Sequence, residues 1–284
     1  MDARTADAFV YPAWVRLILA MLFLWRWGGV GLVSLLVLFA TDPPVTPPML
    51  VRLCLVWVVT PAVLAGFTRR WFRAQTRSEP DRLIAELPGL TLAIPRERIA
   101  GARPWQIPVP RPGLRLLLRD GGVLRERIEV AAPRLWARLH GIEISSPLSP
   151  MARGTLAFSE ARARQPKPQA WYLAAKFVVF PLLPAGLLFR VHQLIAYGSV
   201  WGEYYQRGLA AYLHTGFVYY GTIVVYVLLF AGILRALFES ALWLLAIVTA
   251  EQAERLRRWS EYLREGMYYL GVILFLAIRF FGWG

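Results

Sequence analysis

The chain has 284 residues, 57% of them hydrophobic, and a formal net charge of +14 at pH 7. It contains several apolar runs of about 20 residues, the length that a helix needs to cross a bilayer, so it is not an ordinary soluble domain. Its single cysteine, Cys54, excludes an internal disulfide and any Cys-x-x-Cys site. The composition therefore predicts an integral membrane protein.

Apolar runs in five places are long enough to form membrane-spanning helices. They are Trp14 to Ala40, Met49 to Phe67, Trp171 to Ile195, Leu209 to Leu234 and Met267 to Phe281. Tryptophans gather near the ends of these runs, as in the aromatic belts of membrane interfaces. The first run is too long for a cleaved secretory signal, so we expect it to remain as a helix. Cys54 lies inside the second run, where we expect a small buried hydrophobe.

Basic residues orient the predicted helices. Arginines dominate the positive charge, and basic residues cluster after the second run and before the third. These clusters are Arg69, Arg70, Arg73 and Arg77, and then Arg162, Arg164 and Lys167. The positive-inside rule places both clusters in the cytoplasm, which makes residues 1–68 a transmembrane hairpin with a cytoplasmic N-terminus and makes the loop near 198–207 external. The arginine bias and the absence of an organelle signal favour a bacterial inner membrane.

The excess of arginine has two interpretations. Arginine matches phosphate geometry, so it favours contact with anionic lipid head groups. A GC-rich genome combined with ordinary positive-inside topology would produce the same bias. The arginines are dispersed and no nucleic-acid module is recognisable, so we expect no nucleic-acid partner.

The segment 239–265, between the fourth and fifth runs, is ambiguous. Its first part is apolar but short for a span, and its second part carries dense mixed charge, with Leu256, Trp259 and Leu263 at helical spacing. A sixth span here would place four arginines outside the cell. We therefore predict an amphipathic interfacial helix within a C-terminal bundle covering 171–284, with six spans as the alternative.

The central segment, 69–170, has the pattern of a small cytoplasmic β-rich domain of the α+β type. Short apolar runs separated by Pro and Gly predict strands at Gly89 to Ile94, Arg98 to Arg103, Leu114 to Arg119 and Val123 to Val130. The Asp120-Gly121-Gly122 sequence predicts a hairpin turn. Pro133 and Gly141 bracket a predicted short helix. Segments 142–144 and 155–158 are candidate edge strands.

Residues 90–141 resemble a known family. The motif Ile94-Pro95-x-x-x-Ile99, the strand–turn–strand around Asp120-Gly121 and the final amphipathic helix resemble the later half of bacterial pleckstrin-homology-like domains of small membrane proteins. The resemblance implies a scaffold that docks partners or lipid head groups and is not itself catalytic. For partner docking we single out Trp136, Arg115, Arg119 and Arg125 in this domain and Trp259 in the amphipathic helix.

A dense polar constellation lies at the external end of the third and fourth runs, where charge beside a bilayer is expensive and tends to be functional. Its members are Arg190, His192, Gln193, Glu203, Tyr204, Tyr205, Arg207 and His214. Three interpretations remain open: ligation of haem or a metal by the two histidines and Glu203, a proton or anion pathway, or a polar cluster that fixes helix packing. As a binding site, it would hold an anionic head group with Arg190, Arg207, Tyr204 and Tyr205. Glu203 or His192 would then be the base, and His214 the third member of the catalytic set.

Familiar catalytic signatures are missing from the sequence. It contains no phosphate-binding glycine loop, no Gly-x-Ser-x-Gly and no His-Glu-x-x-His, so we assign no cofactor and no metal. Two hypotheses follow. The first is a non-enzymatic accessory or scaffold subunit of a bacterial envelope complex, with membrane lipids and other membrane subunits as partners. The alternative is an enzyme or transporter that acts on a lipid or lipid-linked anion through Arg190, His192, Glu203 and His214.

Overall fold

The computed structural model of the protein describes residues 5–40, 45–166 and 168–281. Residues 41–44 and Lys167 lie outside the described residues. The α-helices are α1 Ala13–Phe39, α2 Pro47–Cys54, α3 Thr60–Trp71, α4 Pro133–Leu139, α5 Pro150–Ala163, α6 Ala170–Ala174, α7 Leu182–Tyr197, α8 Gly202–Arg207, α9 Leu209–Val248 and α10 Ala253–Phe281. Short 3₁₀ turns lie at Arg96–Arg98 and Ala250–Gln252.

Within the described residues, four helical segments are long and apolar enough to cross a membrane. They are Ala13–Phe39, Pro47–Trp71, Ala170–Tyr197 and Leu209–Val248. The second and third include π-helical turns at Leu55–Val59 and Ala175–Val179. Each turn lies two residues before a proline, Pro61 or Pro181, which lacks the amide that would continue the regular ladder. The chain is thus a helical membrane protein that carries a separate β domain.

The β domain is one antiparallel sheet. Its strands are β1 Thr5–Pro12, β2 Arg73–Ser78, β3 Arg82–Leu87, β4 Leu90–Pro95, β5 Ile99–Pro104, β6 Gly113–Leu118 and β7 Glu126–Glu129, in the order β4-β3-β2-β1-β7-β6-β5. Two meanders, β1 to β4 and β5 to β7, are joined through β1, in which Phe9 lies opposite both Arg73 of β2 and Glu129 of β7. Alternate residues of these strands fill one core, which Trp136 of α4 closes.

The domain boundary differs from the prediction, because the central strand β1 precedes the first membrane helix. The predicted hairpin 1–68 therefore contributes residues 5–12 to the sheet. Strands β2 and β3 also escaped prediction. The sequence Arg-Ala-Gln-Thr-Arg-Ser of β2 looks like a loop, yet Ala74 and Thr76 alternate into the core.

Helix α5 replaces one predicted strand. Residues 155–158 are helical, since the Ser149 hydroxyl accepts a hydrogen bond from the Ala152 amide (3.2 Å) and Pro150 occupies the first turn, which together begin a helix. The other predicted edge strand, 142–144, makes only an isolated bridge between Ile144 and Ala102 of β5. Both edge-strand predictions are corrected accordingly.

Helices α9 and α10 divide the segment predicted as one interfacial helix. Helix α9 has 40 residues, about 60 Å at 1.5 Å per residue, so it is far longer than a bilayer core requires. Its last turns are apolar because Leu242 and Ala246 pack with Phe158 of α5. The charged half of the segment then begins α10.

The chain divides into two compact units, each assembled from several segments. The first comprises Met1–Gly29, Leu55–Gln165 and Leu237–Leu263 and contains the sheet with α4 and α5. The second comprises Val30–Cys54, Pro166–Ala236 and Arg264–Gly284 and contains α6, α7 and α8. Every site described below lies within one unit.

Candidate functional site

Glu203 of α8 lies at the centre of the polar constellation predicted from the sequence. Its side chain is only 2% exposed. The amide of Gln193 donates to one carboxylate oxygen (2.7 Å), while Thr215 (2.8 Å) and Tyr197 (3.3 Å) donate to the other. The backbone amide of Glu203 in turn donates to the side-chain oxygen of Gln193 (3.2 Å). This carboxylate therefore ties the short helix α8 to α7 and α9.

The pKa of Glu203 fits a residue that anchors α8 in the structure. Burial by itself would raise the pKa of Glu203, but the hydrogen bonds from Gln193, Thr215 and Tyr197 outweigh it and hold the pKa below its usual value. A general acid or base at neutral pH needs a pKa shifted in the opposite direction. Arg207 adds positive potential from a distance.

The remaining members of the constellation are placed apart from this carboxylate. His192 packs on the ring of Tyr219, with centroids 5.2 Å apart, and His214 is exposed on α9. The predicted head-group ligands are also exposed, and they are Arg190, Tyr204, Tyr205 and Arg207. Within the described part of the chain, no group of three or more His, Cys, Asp or Glu side chains could hold a metal ion.

Trp136, predicted to dock a partner, lies in the core of the β domain. It is 3% exposed, and its indole N–H donates to the Thr76 hydroxyl (3.0 Å). The Thr76 hydroxyl donates its single proton to the Ala6 carbonyl (2.9 Å). It therefore accepts a hydrogen bond from the Nε2 of His140 (2.8 Å). The assignment of Trp136 to a docking surface is therefore wrong, because a buried indole is the closing element of the fold.

The other predicted docking residues are on the surface. Arg115, Arg119 and Arg125 are exposed on β6 and the loop that follows it, and Trp259 of α10 is 66% exposed. Within the described residues, Arg119 and Arg125 make no ion pair, whereas nearby Arg98 lies 3.7 Å from Asp120. These arginines leave a net positive surface beside the hairpin turn.

Lys176 is buried inside the second unit. Its ammonium group lies 2.6 Å from Glu265, which also accepts from the Tyr172 hydroxyl (2.7 Å). The Lys176 carbonyl, inside the π-helical turn, accepts from the Tyr268 hydroxyl (3.0 Å). The pair fixes α10 to the third candidate span. In the sequence, the signal for this ion pair is a lone lysine inside an apolar run.

Arg16 of α1 contacts the loop 105–112 within the first unit. Its guanidinium lies 3.9 Å from the centroid of the Trp105 ring and donates to the carbonyls of Ile107 (3.1 Å) and Val109 (3.4 Å). The arginine thereby fastens the proline-rich loop 105–112 to the start of α1. No sequence pattern linked these residues, because some 90 positions separate them.

Arg257 lies at the centre of a second buried cluster in the first unit. It is 5% exposed and reaches Glu239 (2.7 Å), Glu261 (3.2 Å) and the side-chain oxygen of Gln165 (2.9 Å). Together we call these four residues the Arg257 network. It joins the end of α5 to α9 and α10, so the mixed charges of segment 239–265 serve packing within the protein.

Comparison with known proteins found no family model, curated protein or solved structure that matches the chain significantly. Functional argument therefore rests on the residues themselves.

Proposed function

We propose that the protein is a non-enzymatic accessory or scaffold subunit of a bacterial envelope complex, embedded in the inner membrane. The observation that carries the proposal is the state of Glu203, whose carboxylate is buried and occupied by three internal donors. A catalytic carboxylate must have an oxygen within reach of its substrate. His192 and His214 lie apart from this carboxylate, so the three residues of the alternative catalytic set do not form one active site.

A cytoplasmic N-terminus is part of the proposal. Because β1 pairs with β2, the beginning of α1 and the end of α3 lie on the same side of the bilayer. Arg69 and Arg70 at the end of α3, together with Arg73 at the start of β2, favour the cytoplasm for that side. We place a fifth span in the apolar C-terminal part of α10.

The pleckstrin-homology-like resemblance gains support from the sheet order. Strands β1 to β4 and β5 to β7 form two antiparallel meanders, and the short helix α4 follows the last strand. A domain of this architecture, fused directly to two membrane helices, would be held at the membrane surface. That position suits a docking module.

The docking surface is proposed at Arg119 and Arg125. Both side chains are exposed, and neither has an ion-pair partner in the described part of the chain. Exposed arginines complement acidic surfaces, where charge sets partner choice and association rate. We therefore expect an acidic cytoplasmic segment of another membrane subunit as the partner.

Quantitative mass spectrometry of the protein purified from its own membranes in mild detergent tests the proposal. A stoichiometric protein partner should accompany the wild type and should decrease at least tenfold for the double variant Arg119→Glu/Arg125→Glu. The matched variant His192→Ala should retain the partner. A wild-type protein that purifies alone, or a partner lost equally with His192→Ala, would contradict the docking role.

A further inference from the structure

A cavity of about 260 Å³ in the first unit has arginines along its polar wall. Arg103 and Arg115 are cross-strand neighbours in β5 and β6, where the loop 105–112 joins the two strands. Arg16 enters from α1. The other lining residues are Pro104, Trp105, Gln106 and Ile107. We call this space the arginine cavity.

The positive charge of the arginine cavity is not neutralised by the protein. Within the described residues, Arg16, Arg103 and Arg115 have no carboxylate within 4 Å. Glu129 is the acidic group whose field reaches Arg16, but it is 1% exposed and accepts from the Tyr11 hydroxyl at 2.7 Å. An anion that enters the cavity would therefore meet cations without a competing internal partner.

Arg16 is also held in place before any ligand arrives. The ring of Trp105 and the carbonyl of Ile107 contact its guanidinium, and both partners are uncharged. Arg115 lies close enough to repel Arg16. A fixed guanidinium loses little rotamer freedom on binding, and an anion would relieve the repulsion, so the arrangement is suited to anion capture.

The cavity lies beside the first turn of a candidate membrane span. Arg16 is the fourth residue of α1, a candidate span that begins at Ala13. Trp14 beside it is 61% exposed, as expected of an aromatic anchor at the interface. A span that begins at Ala13 would place Arg16 near the level of the lipid phosphates, where basic residues meet anionic head groups.

We propose that the arginine cavity binds the phosphate group of an anionic membrane lipid. Arg103 and Arg115 donate to the phosphate oxygens, and Arg16 supplies fixed positive charge behind them. Guanidinium groups suit this role because they pair with phosphate through two parallel hydrogen bonds. The site is distinct from Arg119 and Arg125 and is filled by lipid whether or not a protein partner docks.

The test is a titration of the purified full chain in detergent with phosphatidylglycerol, with bound lipid counted by native mass spectrometry. Phosphatidylcholine is the neutral comparison lipid, and inorganic phosphate is the soluble one. We expect Arg103→Gln/Arg115→Gln to weaken phosphatidylglycerol binding at least tenfold. The matched variant Arg119→Gln/Arg125→Gln removes the same charge outside the cavity and should change binding less than twofold.

The possible results of this titration test the location of the site and the identity of its ligand separately. All four exchanged arginines are exposed, so both double variants should keep the unfolding midpoint of the wild type. Equal weakening by the two variants would overturn the proposal in favour of diffuse attraction, and unchanged binding would overturn it outright. Inorganic phosphate that competes with phosphatidylglycerol at millimolar concentration would support phosphate recognition. If it binds where phosphatidylglycerol does not, the lipid assignment fails.

Discussion

Arginines in two regions of the first unit have different kinds of partner. In the Arg257 network, a buried guanidinium has carboxylates from Glu239 and Glu261 within 3.2 Å. In the arginine cavity, the partners of Arg16 among the described residues are an aromatic ring and backbone carbonyls. The network therefore pairs its cation with carboxylates of the protein, whereas the arginines of the cavity are available to an anionic ligand.

This difference distinguishes arginines that stabilise the fold from arginines that are available to bind a ligand. Removing one partner of a buried ion pair leaves the other charge desolvated and unpaired, which is strongly destabilising. An exposed arginine without an acidic partner contributes little to folding, so its removal should affect binding and leave stability nearly unchanged. Variants in the two regions should therefore give opposite results in stability and binding assays.

Replacing Arg257 with alanine should give the largest loss of stability. The variant removes the cation that Glu239 and Glu261 share and leaves Glu239 with the more distant Arg162, at 3.7 Å, so we expect the free energy of unfolding to fall by about 3 kcal/mol. Chemical unfolding of the purified chain in detergent, followed by circular dichroism, measures the loss. Exposed Arg258 is the control on the same helix, and Arg258→Ala should change the value by less than about 0.5 kcal/mol. Equal stability of the two variants would show that the network is not structural.

Replacing Gly154 with alanine should give a smaller loss, in the packing that brings α5 to the network. A Cβ atom at Gly154 would lie 2.5 Å from the Cα of Ile247 in α9, a backbone atom that cannot give way without a helix shift. Overpacking of this kind costs about 2 kcal/mol. The control is Gly186→Ala in α7, where a Cβ meets nothing within 4 Å. The unfolding midpoints of the two variants test this prediction. An unchanged midpoint for Gly154→Ala would contradict the close approach of α5 to the backbone of α9.

The sequence predicted elements wherever one local pattern decided them. The hairpin around Asp120 and the helix from Pro133 are present because turn and cap chemistry depends on neighbouring residues. Strand β1 could not be recognised, since its partners β2 and β7 lie more than 60 residues away. The 40-residue length of α9 was missed for a related reason: its apolar end packs on α5 rather than in lipid, and hydropathy does not distinguish the two environments.

At the sites, the sequence identified the ionisable residues but could not identify the residues that they contact. Glu203 and Gln193 were both predicted members of a polar constellation, yet the hydrogen bonds that hold the Glu203 carboxylate depend on the turn between α7 and α9. Trp136 was singled out for partner docking, and its burial can be read only from the folded domain. Arg16 and Trp105 became neighbours through the fold alone. Composition thus indicates where charge is expensive, and the contacts decide whether it has been neutralised.

The smallest effect expected is a pH dependence of the β domain, where His140 is a buried base without an acidic partner in the described part of the chain. Burial, and secondarily the positive charge of Arg96, lower the pKa of His140 from 6.5 to about 4. The unfolded chain therefore binds a proton at a pH where the folded chain does not. Stability is full above about pH 6.5 and declines as the pH falls toward 4, by of the order of 1 kcal/mol at pH 5.5. Unfolding midpoints measured from pH 7.5 to 5 should show this decline for the wild type and for the exposed-site control His214→Gln. In His140→Gln, the amide nitrogen can still donate to Thr76 but does not titrate, so the decline should be reduced. If its pH dependence matches that of the wild type, His140 is not the group responsible.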